Sequence, residues 1–196
     1  MDYFLLRHQY AKPSYIDATV VFSPPQPYYR IGTDLQEENL SISLKMDKLM
    51  RKVNVDFFYT TGGGFFASTE LAHLIQEHQK HIRVVPATST YNNGKPTEKS
   101  YCLIHAPKRV NCFDYELSDY GGKALTLQRV ERGEPRNLVK VIRKLVIDPK
   151  KANQNHFFFI DNVLLIDPVV SGDLARRITE KGFLVNLEKL ANDVIE

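Results

Sequence analysis

Ala67-Ser68-Thr69-Glu70-Leu71-Ala72 and Val170-Ser171-Gly172-Asp173-Leu174-Ala175 share one local logic. In each, a serine occupies a helix N-cap position and an acidic residue follows two places later, where negative charge suits the helix dipole. Leu71, Leu74, Ile75 and His78 continue the first stretch at helical spacing, and Leu174, Ala175 and Ile178 continue the second. Gly182 fits the stop of the second helix. Before the first helix, Val53 to Tyr59 is β-rich, the run Thr60-Thr61-Gly62-Gly63-Gly64 breaks it, and Phe65 to Ala67 resumes it. His81 to Val85 is expected as the next strand, ended by Pro86. Before the second helix, His156 to Ile160 is β-rich, Asp161-Asn162 turns, Val163 to Ile166 resumes, and Asp167-Pro168 interrupts. Phe183 to Leu187 follows as a strand.

A strand–turn–strand–helix–strand unit therefore reads twice. The duplication is weak, because the matching positions are mostly those any capped helix uses. Two copies are also too few for a solenoid. Tyr3 to Arg7, Ala18 to Phe22, Leu40 to Leu44, Tyr101 to Ile104 and Val139 to Ile147 are further strand candidates. Ser23-Pro24-Pro25-Gln26-Pro27-Tyr28-Tyr29 reads as an extended surface loop, since proline removes ladder donors. Asn92 to Pro96 reads as a hairpin tip. Gly121-Gly122 and Arg132 to Pro135 read as loops, and Glu188 to Val194 as a short terminal helix. Strands outnumber helices without alternating strictly with them. The expected class is α+β, a mostly antiparallel sheet with a few helices.

The 196 residues suit a single domain, 1–196, that buries roughly 70% of its unfolded surface without metal or disulfide. With 26 basic and 23 acidic residues the net charge is +3, which points to no nucleic-acid partner. The most basic stretch, Lys140 to Lys151, reads as a solvated edge strand and loop. No apolar run reaches the length of a membrane span and the first residues do not form a signal peptide. Two cysteines, Cys102 and Cys112, without C-x-x-C spacing, suit a reducing compartment. The expectation is a cytoplasmic protein with no membrane contact.

Chemical motifs are sparse. Gly62 to Gly64 lacks both the dinucleotide spacing and the Gly-Lys-[Ser/Thr] ending of a phosphate loop. His73, His78 and His81 are spaced five and three apart, not four with a glutamate between, so no metal is expected. Cys112, between apolar neighbours, reads as a small buried hydrophobe and not as a nucleophile. No catalytic residue and no cofactor are expected.

Val110-Asn111-Cys112-Phe113-Asp114-Tyr115-Glu116-Leu117-Ser118-Asp119-Tyr120 resembles a signature of bacterial immunity proteins in polymorphic toxin systems, the families numbered eleven and forty-three. Tyr3 to Arg7, Ile147 to Lys151 with His156 to Phe158, and Val170 to Leu174 agree with it. The likeness covers residues 53–187, while residues 1–52 form a variable N-terminal part. Asn111 stands where the pattern more often has Asp. The resemblance implies a non-enzymatic protein of interbacterial competition that binds a cognate toxin protein and neutralises it.

Within the motif, Cys112 and Phe113 are expected in the core, and Asp114, Ser118 and the later Ser171 as turn or cap residues. Candidate toxin contacts are Tyr28, Tyr29 and Arg30 after the proline loop, and Tyr115, Glu116, Asp119 and Tyr120. Tyrosine is equally an ordinary residue at the rim of a core. The alternative reading is a small hydrolase-like cytoplasmic enzyme using the glycine loop, the helix histidines or Cys112.

Overall fold

The computed structural model describes residues 2–9, 15–26, 29–35, 39–134, 138–165 and 167–190. Its strands begin with β1 (Tyr3–His8), β2 (Tyr15–Ile16), β3 (Ala18–Ser23), β4 (Ser41–Met46), β5 (Phe57–Thr60) and β6 (Phe65–Ser68). Helix α1 (Thr69–His78) precedes β7 (Arg83–Thr90), β8 (Tyr101–His105) and β9 (Asp119–Tyr120). Helix α2 (Lys123–Glu131), β10 (Ile142–Lys144), β11 (Phe157–Phe158), β12 (Val169–Ser171), α3 (Gly172–Glu180) and β13 (Val185–Lys189) complete the order. The fold is α+β, and strand pairs are antiparallel except β2 with β5 and β4 with β7.

The duplication is architectural. One sheet contains the order β5-β6-β8-β7, flanked by β2 on one side and β4-β3 on the other; the second sheet has the order β11-β12-β1-β13. In both, a hairpin leads into a helix, and the strand after the helix returns with one antiparallel strand inserted between. The register matches as well. Ser68 faces Tyr101, and Ser171 faces Tyr3. The first helical N–H donates to the residue before that tyrosine in both units: Thr69 to Ser100 O at 3.0 Å, Gly172 to Asp2 O at 2.8 Å. The inserted strand follows the unit in one case (β8) and opens the chain in the other (β1), so the second copy is permuted.

Each sheet has two covered faces. Phe57, Phe65, Ala67, Cys102 and Ile104 of one sheet and Leu6 and Val170 of the other join Leu71, Leu74, Ile75, Leu174 and Ile178 in a central cluster around α1 and α3. The alternate residues point outward, as a two-residue period requires. Phe58, Phe66, Tyr101 and Leu103 pack under β3 and β4, while Tyr3, Leu5, Phe158 and Val169 pack under residues of the motif region. Each fully buried aliphatic or aromatic side chain contributes about 1.5–3 kcal/mol.

The two units also hold each other reciprocally. Asp56, just before β5, accepts from Leu184 N–H after α3 at 2.7 Å and pairs with Lys99 Nζ at 2.7 Å. Gln79, just after α1, accepts through Oε1 from His156 N–H at 2.6 Å and Phe157 N–H at 3.4 Å, at the start of β11.

Several expectations need correction. Pro86 does not end β7; β4 pairs with β7 only from Ala87 onward, so one side of the strand is open where the proline lies. Val139 to Ile147 is not one strand, since only Ile142–Lys144 forms a strand, pairing with β9 across a register shift. Glu188 and Lys189 are not helical; the open edge of β1 captures them as part of β13, and Leu190 N–H reaches Tyr3 O. Residues 191–194 of that expected helix lie outside the described residues. Helix α2 has no counterpart in the sequence reading: it lacks a strong apolar stripe, and its N-cap is Gly122 rather than a capping side chain.

Candidate binding groove

The motif residues are scaffold. Cys112 and Phe113 are buried among Tyr3, Ile147 and Phe158. Asp114 Oδ1 accepts from the N–H groups of Glu116 and Leu117, closing a turn. The Ser118 hydroxyl donates to Val146 O and accepts from Val146 N–H. Ser171 accepts from Leu174 N–H as the N-cap of α3. Tyr115 and Tyr120 are buried, both rings edge-on against Phe113, and offer little surface to a partner. Glu116 and Asp119 are exposed. Asp119 is engaged by Arg143 through two hydrogen bonds, 2.7 and 2.6 Å, which hold its carboxyl below the ordinary range. Within the basic stretch, Arg143 and Lys151 are thus neutralised by Asp119 and Asp148.

The groups named for the enzyme alternative lie apart. His78 donates from Nδ1 to Leu74 O and meets the His156 ring edge-on at 6.0 Å. Cys112 sits in the outer cluster, and burial pushes its thiol up to about 12, so it stays protonated. The glycine loop is committed to backbone: Gly62 N–H donates to Ala18 O and Gly63 N–H to Thr60 O. A Cβ on Gly62 would lie 2.7 Å from Ala18 O, so only glycine lets the hairpin approach β3. Among the described residues no group of three or more His, Cys, Asp or Glu is placed to hold a metal ion. No helix among them is long and apolar enough to cross a membrane.

Tyr28 lies outside the described residues. Tyr29 and Arg30 fall on a groove between the two units, formed by two adjoining hollows of about 400 and 580 Å³. The turns of the two equivalent hairpins meet there, Gly63-Gly64 from one and Asp161-Asn162 from the other. Tyr29 stacks on Phe22 at 5.0 Å and tilts against His105 at 5.5 Å; burial, reinforced by Tyr59, raises its phenol pKa. The neighbouring His105 is itself fixed, donating from Nε2 to Thr33 O at 2.6 Å.

Arg109 is the anchored cation of the groove. Its Nη1 donates to Ile160 O at 3.2 Å and its Nε to Ile31 O at 3.4 Å, and the guanidinium lies 6.0 Å over the Phe159 ring. Its stem fits against Gly32, where a Cβ would come within 3.1 Å of Arg109 Cγ. Desolvation lowers its pKa, with Asp161 opposing and Arg30 adding to the shift. Lys108 and Arg30 share the same hollow. Leu138 and Leu164 line the groove and are 49% and 59% exposed. The sequence reading missed Lys108, Arg109, Leu138 and Leu164 because no local pattern marks them; only the docking of the two units brings them together.

No protein-family model matches the chain, and no curated protein matches it in sequence.

Proposed function

We propose that the protein binds a cognate bacterial toxin in the cytoplasm and neutralises it by protein–protein contact. The observation that carries this reading is the groove itself: Tyr29, Arg30 and Arg109 stand beside exposed Leu138 and Leu164. Arginine and tyrosine next to apolar surface are the types that dominate binding energy at interfaces. Tyr29 is packed against Phe22 and His105, and Arg109 is held by Ile31 O and Ile160 O, so both side chains are placed before binding, which lowers the ordering cost of association. The motif that carries the resemblance supplies the outer core that supports this scaffold.

The test is rescue. Toxin domains of polymorphic toxin systems are each expressed in a sensitive bacterial host with and without this chain, beginning with any encoded in the genes that flank it, and the purified pair is examined by size-exclusion chromatography with light scattering. Restored growth and a stable complex are the expected results. Failure of both rescue and complex formation, with the chain folded and abundant, refutes the reading.

A further inference from the structure

We infer that the groove receives an acidic segment of the partner polypeptide, its carboxylates meeting Arg30, Lys108 and Arg109 and its apolar side chains meeting Leu138 and Leu164. This rests on the protein-binding reading above and specifies the chemistry of the partner.

Three cations converge on one hollow, and none has an ion-pair partner among the described residues. Three cations face one carboxylate, Asp161, in this hollow, so it keeps an excess of positive charge that an incoming anion meets. Arg109 is also oriented in advance. Its hydrogen bonds to Ile31 O and Ile160 O leave other N–H donors of its five to grip a carboxylate.

The surroundings choose between anions. Asp161 stands on the same rim, its Oδ2 accepting from Asn162 Nδ2–H at 3.0 Å. A nucleic-acid backbone, which needs a continuous run of cations, would meet this negative charge and two exposed leucines. A polypeptide can place a carboxylate on the arginines and an apolar side chain on the leucines, and pass Asp161 with a neutral residue.

The experiment uses the full chain and two fluorescein-labelled probes: a soluble peptide of glutamates with interspersed leucines, and a single-stranded oligothymidylate of equal charge. Binding is read by fluorescence anisotropy at low and physiological salt. The glutamate peptide binds, its glutamine counterpart does not, and Arg30→Gln with Arg109→Gln weakens binding by about tenfold or more, as loss of charge-assisted hydrogen bonds requires. Arg30→Gln alone alters an exposed side chain and keeps the fold; it weakens binding by about threefold, while Lys80→Gln, an equal charge change at the end of α1, leaves it within about twofold. Circular dichroism checks each variant. Absence of peptide binding by the folded wild type, or binding unchanged in both arginine variants, overturns the inference. Tighter binding of oligothymidylate with the same dependence on Arg30 also overturns it, in favour of nucleic acid. Toxin rescue without peptide binding would sink this inference alone; peptide binding without either rescue or a complex with the toxin would sink the proposed function alone.

Discussion

Asp56→Ala tests the buried carboxylate at the junction of the two repeated units, which bonds Leu184 N–H of the second unit and pairs with Lys99 of its own. Asp56 is 5% exposed, and its carboxylate spends one oxygen on Leu184 N–H and the other on Lys99 Nζ, each at 2.7 Å. A hydrogen bond to a charged group contributes about 1.5–3 kcal/mol. Lys99 keeps 27% of its side chain exposed and can turn to water, so its share falls at the low end. The expected loss is therefore about 3 kcal/mol at neutral pH. For a chain of this length that lowers Tm by about 6–12 °C. Urea unfolding followed by far-UV circular dichroism measures it. Asp56→Asn separates charge from shape. Burial alone would raise the Asp56 carboxyl above its ordinary 3.8, but Lys99, the Ser68 hydroxyl and the backbone N–H of Leu184 outweigh burial and hold it lower. A carboxylate depressed in the folded state adds stability that is present above the unfolded value and is lost as pH falls through the folded one. The wild-type advantage over Asp56→Asn should be constant near neutral pH, shrink below 3.8, and vanish at lower pH. A loss under about 1 kcal/mol for Asp56→Ala, or an advantage that persists in strong acid, refutes the reasoning.

Other expectations follow from single contacts. Ser171 caps α3 through Leu174 N–H, whereas Ser68 makes no side-chain cap bond to α1; Ser171→Ala should destabilise by about 1 kcal/mol more than Ser68→Ala in urea melts. Gly62→Ala places a Cβ against the backbone of β3 and should cost about 2–3 kcal/mol. Gly63→Ala meets open space and pays only for its φ of +87°, about 1–2 kcal/mol, so the order of the two Tm values is the check. Cys112, with its thiol pushed up to about 12, should resist iodoacetamide at pH 8 in the native state and react on unfolding, as followed by intact-mass spectrometry.

The distance between sequence and structure is clearest at the duplicated unit. The two helices, each with a serine at its N-cap position, and most strands around them are legible because turn chemistry and apolar period act over a few residues. The strand expected at Val163 to Ile166 is a correction: Val163 forms only an isolated bridge, Ile166 lies outside the described residues, and the strand that enters α3 is Val169–Ser171. The insertion of β8 into one sheet and β1 into the other is not legible, because Tyr101 and Tyr3 reach equivalent places from opposite ends of their units. The same limit applies to the motif tyrosines. Tyr115 and Tyr120 look like neighbours of Tyr29 in type, yet Phe113 and the outer cluster enclose them while Tyr29 reaches the groove.

By itself the sequence determined what local forces decide: an α+β chain, the two helices that start after Ser68 and Ser171, the glycine hairpin turn, and a buried Cys112 and Phe113. Tertiary structure alone decided which surface is available, because Arg30, Arg109, Leu138 and Leu164 are far apart along the chain and share a groove only when the two units dock. Capping and periodicity are settled within one turn or one strand, whereas a binding surface is set by long-range packing, and that depends on the whole core at once.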